Sequence, residues 1–303
     1  MYIDSLYNSF KKIARIIKYG NLSHINSTVN KKNSSNESIK QMDIISQNYI
    51  IDSIKNIPNI IGYISEEVED ICIFENKKNI TSDKKFILAF DPIDGTKNLL
   101  SNITVGTIYC LYEFDYDKKM ILNIEEAGYC LYGPKTVLVK TNGNVVEHLS
   151  LEENDIFKKD CNLSFTNNND NIYCINESNT FSNDINDLIK YYKSNNYNQR
   201  WVGSMVADCH QILCKGGIFM YPDSTKHPSG KLRVLYEVLP FSYIFKIAGG
   251  VGLDTNLNNI LEIYNNYVIK KEHIHKSIPV ILCSKKEYNI LTNYLEIREN
   301  IFC

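Results

Sequence analysis

The stretch FDPIDGTKN, Phe90 to Asn98, sets two acids three residues apart directly after the apolar run Phe86–Phe90. Asp91 stands where a strand should stop. Asp94 opens a turn into Gly95-Thr96, which can start a helix. Backbone N–H groups left free at a helix start hold phosphate oxygens. Carboxylates beside such a cradle repel a phosphate unless a cation lies between them. The stretch is therefore either a metal-and-phosphate site or a turn with an acidic cap, and alone it leaves both readings open. A second acid pair, Glu66-Glu67, follows the apolar run IIGYIS (60–65) in the same way. If those two strands are neighbours, four carboxylates meet at one sheet end. Unneutralised, they raise one another's pKa, and oxygen ligands in that number suit Mg²⁺ or Mn²⁺. Taken singly, EEVED (66–70) reads equally well as a solvated loop. Glu237 is a third signal, inside the apolar stretch GKLRVLYEVLPFSYIFKIAGG (230–250). A charge there needs a partner, either a salt bridge to Arg233 or a metal.

These acids must be positioned by elements legible in the hydrophobic pattern. Residues 3–19 read as an amphipathic helix, with Ile3, Leu6, Tyr7, Phe10, Ile13, Ala14 and Ile17 on one face and Gly20 as its stop. That helix resembles an organelle transit segment, but it carries an acid and one arginine, so a helix docked on the core is the reading adopted. The polar, Asn/Ser-rich 21–38 segment reads as a linker or lid, with Ser38 capping a helix to about Ile54. Strands are expected at 60–65, 86–90, 105–114, 126–133, 135–141, 172–175, 217–221 and 278–284. Helices are expected at 95–100, 182–194, 203–214, 235–248 and 285–299. The alternation lacks strict βαβ spacing, which favours an α/β chain of layered mixed sheets and helices over a Rossmann arrangement. A division near residue 165 is expected, giving parts 1–165 and 166–303.

The 303 residues, 44% hydrophobic and 22% charged, are ordinary globular material. A net charge of -2 argues against a broad nucleic-acid footprint. No apolar run reaches the roughly 20 residues of a membrane span. Nine cysteines occur without a CxxC pair, several in apolar runs (Cys110, Cys130, Cys283), which reads as reduced buried thiols in the cytoplasm.

SEE (65–67), DPIDGT (91–96) and a late glutamate before AGG together resemble the signature of the lithium-sensitive, metal-dependent sugar and inositol phosphatases. RWVGSMVADCHQILCKGGIFMYPDSTKHPSGKLRVLYE, 200–237, narrows the resemblance to the fructose-1,6-bisphosphatase family, across nearly the whole chain. The resemblance implies the sugar-phosphatase fold, with helices and mixed sheets layered αβαβα. It implies Mg²⁺-dependent hydrolysis of the 1-phosphate of fructose 1,6-bisphosphate to fructose 6-phosphate, a gluconeogenic step, with two or three Mg²⁺ (or Mn²⁺) in each site. It implies a homo-oligomer, tetramer or dimer, with no nucleic-acid or membrane partner. By position, Glu66, Asp91, Asp94, Glu237 and the Ile93 carbonyl match metal ligands. Glu67 and Asp43 match acids that orient and deprotonate water, and Glu37 stands for an aspartate on a mobile loop. Gly95 and Thr96 match the 1-phosphate cradle. Asn176, Arg200, Tyr221 and Lys231 match the 6-phosphate and sugar contacts, with Arg200 reaching in from a neighbouring subunit. Gly203 and Met205 match the sugar pocket, and Arg233 matches support for the acids.

The chain departs from the family pattern at several positions. Trp201 and Asn179 stand where tyrosines contact the far phosphate, and Lys97 replaces a small residue beside the cradle. Sedoheptulose 1,7-bisphosphate is therefore the nearest rival substrate. An inositol or nucleotide phosphatase is a more distant rival, against which the 200–237 block argues. The first helix matches a later helix of the family, so the AMP-binding segment is expected to be lacking, and Phe86 replaces a tyrosine of that site. Titrating AMP against activity at fixed Mg²⁺ is expected to give weak inhibition or none; strong micromolar inhibition would contradict the alignment of Phe86.

Overall fold

A computed structural model describes residues 3–32, 38–77, 84–165, 170–178 and 180–302. An eight-stranded sheet runs in the spatial order Phe157–Leu163, Val146–Leu151, Thr136–Thr141, Met120–Tyr132, Val105–Asp115, Phe86–Asp94, Ile60–Ser65, Cys72–Ile73. Among its described strands only the pair Ile60–Ser65 and Phe86–Asp94 is parallel. A five-stranded sheet runs Asn198–Gln199, Ile172–Cys174, Ile218–Tyr221, Val280–Ser284, Gly250–Leu253.

The layering follows from which side chains need cover. Helices Asp4–Tyr19 and Gln41–Ile54 bury Leu6, Phe10, Ile13, Met42, Ile50 and Ile54 against Leu88, Phe90, Tyr109 and Leu111 of the large sheet. The opposite face of those strands presents Ile87, Ala89, Ile108, Cys110 and Tyr112. They pack with Val206, Cys209 and Ile212 of helix Met205–Lys215 and with Phe241, Ile244 and Phe245 of helix Leu239–Ile247. Cys174, Phe219 and Leu282 bring the small sheet into the same core. Its far face, Tyr173, Ile218, Met220, Ile281 and Cys283, is covered by Leu188, Ile189 and Tyr192 of helix Asn183–Ser194 and by Leu291 of helix Lys285–Phe302. The result is five layers, αβαβα. With both faces of a strand covered, FILAF can be uniformly apolar.

The first helix docks on this core, and its Tyr7 hydroxyl donates to the buried Glu126 carboxylate at 2.5 Å. Helix Gln41–Ile54 starts later than expected. Ser38 lies in a short strand, Ser38–Lys40, and the Asp43 carboxylate accepts the Lys40 N–H at 2.7 Å. Strands Val146–Leu151 and Phe157–Leu163 were not expected. They form an outer hairpin whose exposed faces pair through Lys159–Glu147 and His148–Asp160. Gly249-Gly250 reads in sequence as the stop of the 235–248 helix; in the structure Gly250 also opens an edge strand, Gly250–Leu253, which the sequence reading did not expect. The eight described cysteines are free thiols, and no described helix is long and apolar enough to cross a membrane.

Gly106 connects this packing to the acids. It pairs with Asp94 across the ladder, and a Cβ there would meet Val206 Cγ1 at 2.6 Å and the Cys130 carbonyl oxygen at 2.7 Å. Gly106→Ala is expected to cost about 1–3 kcal/mol by overpacking and to lower turnover, because Val206 is displaced from Asp94. Urea unfolding and phosphate release measure the two effects; a fully stable, fully active variant would contradict the packing.

Candidate active site

The parallel strand pair brings the two acid turns together. Ser65 is in register with Phe90, and the Glu66 N–H continues the ladder to the Phe90 carbonyl at 3.3 Å. Glu66 therefore emerges beside Asp91. In a regular strand Asp91 and Asp94 would point to opposite faces. Here Asp91 faces Ile108 and Asp94 faces Gly106, so three steps on one strand match two on its neighbour. Such a bulge re-aims a side chain, and it brings both acids to one side. Pro92, which has no N–H to donate, sits inside it, and its carbonyl accepts from Thr107 Oγ1 at 2.8 Å.

Each acid is fixed by named donors. Asp91 Oδ1 accepts the Ile93 N–H at 3.0 Å. Asp94 Oδ2 accepts from Ser204 Oγ at 2.5 Å and from the Val206 N–H at 2.8 Å, at the start of helix Met205–Lys215. Gly95, at φ +79°, turns the chain back; a Cβ there would meet Ser204 Cβ at 2.7 Å. The Thr96 hydroxyl lies 2.7 Å from Asp43 Oδ1 and 2.8 Å from the Ile93 carbonyl, and its single proton serves both. Glu237 rides on a wide π-type turn, Val234–Val238, ahead of helix Leu239–Ile247, and accepts the Arg233 N–H at 2.5 Å. Turns of that type recur at functional sites. The Arg233 guanidinium donates to the Lys231 carbonyl and to Ser277 Oγ.

Carboxylate oxygens of Asp91, Asp94 and Glu237, all buried, lie within 4.8 Å of one another. They floor a cleft of about 300 Å³ also lined by Asp43, Glu66, Glu67, Ile93, Gly95 and Thr96. Asn176, Trp201, Gly203, Met205, Tyr221, Lys231 and Arg233 line its walls. Trp201 stacks on Phe219 at 12°, with Tyr221 6.1 Å away. Arg200 does not line this cleft; it is exposed and its guanidinium donates to its neighbour's carbonyl, that of Gln199. Glu37 and Asn179 lie outside the described residues.

Sequence reading missed Ser204, Lys40 and Asp208. The buried Asp208 accepts the Val202 N–H at 2.7 Å and the Gly203 N–H at 3.0 Å, pinning the loop that carries Trp201. A lone acid in the apolar run VADCHQIL was its signal.

Burial and mutual repulsion distort these acids. Burial first, then Glu66, Asp94, Glu237 and Asp43, holds the Asp91 carboxyl well above its ordinary range. Burial and Glu66 push Glu237 up to about 8. Asp94 is also raised by burial, although Ser204, the amides of Val206 and Met205, and the Lys231 charge oppose the rise. Hard oxygen donors that cannot all ionise together fit a site for small divalent cations.

The comparisons with known proteins point the same way. The family model described as "Fructose-1-6-bisphosphatase, N-terminal domain" matches residues 1–157, and the corresponding C-terminal domain matches residues 166–296. A class 1 fructose-1,6-bisphosphatase of Acinetobacter baylyi is 32% identical, covering 96% of this chain and 92% of its own. The Bos taurus fructose-1,6-bisphosphatase 1 is 31% identical over 97% and 88%. The holo-form structure of Leishmania major fructose-1,6-bisphosphatase superposes with a TM-score of 0.86 at 27% identity, over 97% of this chain and 93% of that one.

The raised carboxylates fix a sign. Between the ordinary glutamate value of 4.5 and about 8, folded Glu237 holds a proton that the unfolded chain has released. The metal-free protein therefore loses stability as pH rises through that window. Divalent cations compete with that proton. The rise in Tm on adding Mn²⁺ is expected to grow from pH 5.5 to pH 8; a rise independent of pH would refute the coupling.

Proposed function

The chain belongs to the fructose-1,6-bisphosphatase family, and we propose that it hydrolyses the 1-phosphate of fructose 1,6-bisphosphate at this cleft, releasing fructose 6-phosphate and inorganic phosphate. The convergence of the buried Asp91, Asp94 and Glu237 carboxylates carries the reading. Glu66, Asp91, Asp94, Glu237 and the Ile93 carbonyl would hold divalent cations, two or three Mg²⁺ or Mn²⁺. Such cations supply charge stabilisation to the attacking and leaving oxygens of an in-line displacement.

The chain's own groups account for the remainder. The amides of Gly95 and Thr96 hold the transferred phosphate. Glu67 and Asp43 orient the attacking water and take its proton as the new phosphorus–oxygen bond forms. The bond to the sugar C1 oxygen breaks, and that oxygen gains a proton from solvent. The Thr96 hydroxyl bond to Asp43 Oδ1 leaves that carboxylate an acceptor. At the other end, Asn176, Tyr221 and Lys231 hold the 6-phosphate, and Gly203, Met205 and Trp201 enclose the sugar. Binding of this remote phosphate positions the reacting one.

Arg200 points away from the cleft of its own chain, which supports its serving the site of a neighbouring subunit in a dimer or tetramer. Residues 1–165 then carry most of the acids, and 166–303 carry Glu237 and the sugar-phosphate contacts. The setting we assign is cytoplasmic gluconeogenesis.

Phosphate release from fructose 1,6-bisphosphate under Mg²⁺ is expected to exceed that from sedoheptulose 1,7-bisphosphate and inositol phosphate; a preference for either rival overturns the assignment. Removing partners of metal ligands costs about 10–100-fold, so Asp94→Ala, which removes a ligand itself, is expected to lose more than about 100-fold. Unchanged turnover would remove the metal assignment. Mixing inactive Asp94→Ala with Arg200→Ala chains is expected to restore activity in hybrid oligomers; no recovery would place Arg200 outside the neighbour's site.

A further inference from the structure

Glu66-Glu67 and Glu237 reach the cleft on segments far apart in the chain, and like charge pushes them away from one another. We infer that His275 is a positioning residue that ties the Glu66-Glu67 turn to the Glu237 turn and thereby sets the affinity of the acid cluster for divalent cations. This rests on the metal reading above.

His275 lies between the turn Lys271–His273 and the short strand Ser277–Ile278, which pairs with Leu232–Arg233. Its Nδ1 is 2.8 Å from the Tyr236 hydroxyl, and its Nε2 is 3.0 Å from the Val68 carbonyl and 3.2 Å from that of Glu69. Tyr236 immediately precedes Glu237, and Val68 immediately follows Glu67. One imidazole thus spans the backbones on which both acids ride. Carbonyl oxygens only accept, so Nε2 carries the proton and Nδ1 accepts from Tyr236. The other tautomer would break the bond to the turn.

Neighbouring contacts support the strut. The Tyr236 ring is fully buried and meets the imidazole edge-on at 5.9 Å. The Val234 N–H bonds to the Lys276 carbonyl at 2.9 Å. Lys271 reaches Asp70 at 3.2 Å on the same turn as Val68, but that pair is exposed and is screened by salt. Burial lowers the pKa of His275, against the opposing pull of the Glu69 and Val68 carbonyls, and the Arg233 charge acts in the same direction as burial. Without this tie, the easiest relief of carboxylate repulsion is for the Glu66-Glu67 turn to swing outward. With it, the separation is set before any ion arrives, as outer partners of metal ligands set affinity elsewhere.

The conservative variants separate the two bonds. In His275→Asn the amide oxygen replaces Nδ1 as acceptor, and in His275→Gln the amide N–H replaces Nε2 as donor. Tyr236→Phe removes only a hydroxyl. Mn²⁺ binding to each purified variant without substrate, by calorimetry and electron paramagnetic resonance, is expected to weaken by about 10-fold or more. KM for the sugar bisphosphate at saturating Mg²⁺ is expected to stay unchanged. The double variant His275→Asn/Tyr236→Phe is expected to be weaker by less than the product of the single effects, as for groups in one network. Variants that bind Mn²⁺ as the parent does, or that lose only Tm in EDTA, overturn the inference and leave the metal reading standing. A parent chain that binds no Mn²⁺ overturns both.

Discussion

Like charges gathered in a buried cluster are the constraint on which the rest of this structure turns. Asp91, Asp94 and Glu237 lie within 4.8 Å of one another, with Glu66 acting electrostatically on Asp91 and Glu237. Parallel strands end on the same side of a sheet, and the single parallel pair of the large sheet is the one that delivers both acid turns. An antiparallel arrangement of the same two strands would have sent Glu66 and Asp91 to opposite ends. Topology therefore creates the repulsion, and the surrounding hydrogen bonds hold the acids against it. Asp94 is gripped by helix Met205–Lys215 and Asp91 by its own turn, while Glu237 is held by the amide of Arg233.

The cleft carries both signs of charge. Asp43, Glu66, Glu67, Asp91, Asp94 and Glu237 line it together with Lys231 and Arg233. The Lys231 charge opposes the rise in the pKa of Asp94, and Arg233 does the same at Glu237. Under the proposed function, a bisphosphate would meet cations held by the acids at one end and Lys231 at the other. The loop between Gln199 and Ser204 contributes to the cleft wall through Trp201 and Gly203 while turning Arg200 outward, and Asp208 and Asn98 bind that loop to the body through Val202 and Gly203. The same short loop therefore carries the outward arginine, the Trp201 wall and Ser204, whose hydroxyl donates to Asp94.

Much of this was legible in the chain because burial on both faces leaves a strong mark. FILAF, IIGYIS and IPVILCS read as strands, and acids directly after two of them are conspicuous. The amphipathic first helix was equally plain. The hairpin Val146–Leu151 with Phe157–Leu163 was not, because its apolar pairs Leu151–Phe157 and Val146–Leu163 are separated by the charged Glu147, His148, Lys158, Lys159 and Asp160, which hide the strand pattern. Asp43 in KQMDIIS stood out only through the family resemblance; the fold adds that it joins Lys40 to Thr96. The bulge at Pro92-Ile93 was also hidden. A proline after an aspartate reads as a turn, whereas the strand continues through it to Asp94.

Irregular backbone collects where the acids are. A bulge aims Asp91 and Asp94, a left-handed glycine follows Asp94, and a wide helical turn carries Glu237. None of these conformations is favoured on its own. Each persists because packed neighbours determine it: Ser204 closes on Gly95, Val206 on Gly106, and Tyr112 donates its hydroxyl to the Leu235 carbonyl at 2.7 Å within the wide turn. Regular strands and helices alone would alternate these acids across two faces. The cluster exists because the core surrounding it is rigid enough to hold three departures from regularity at one sheet end.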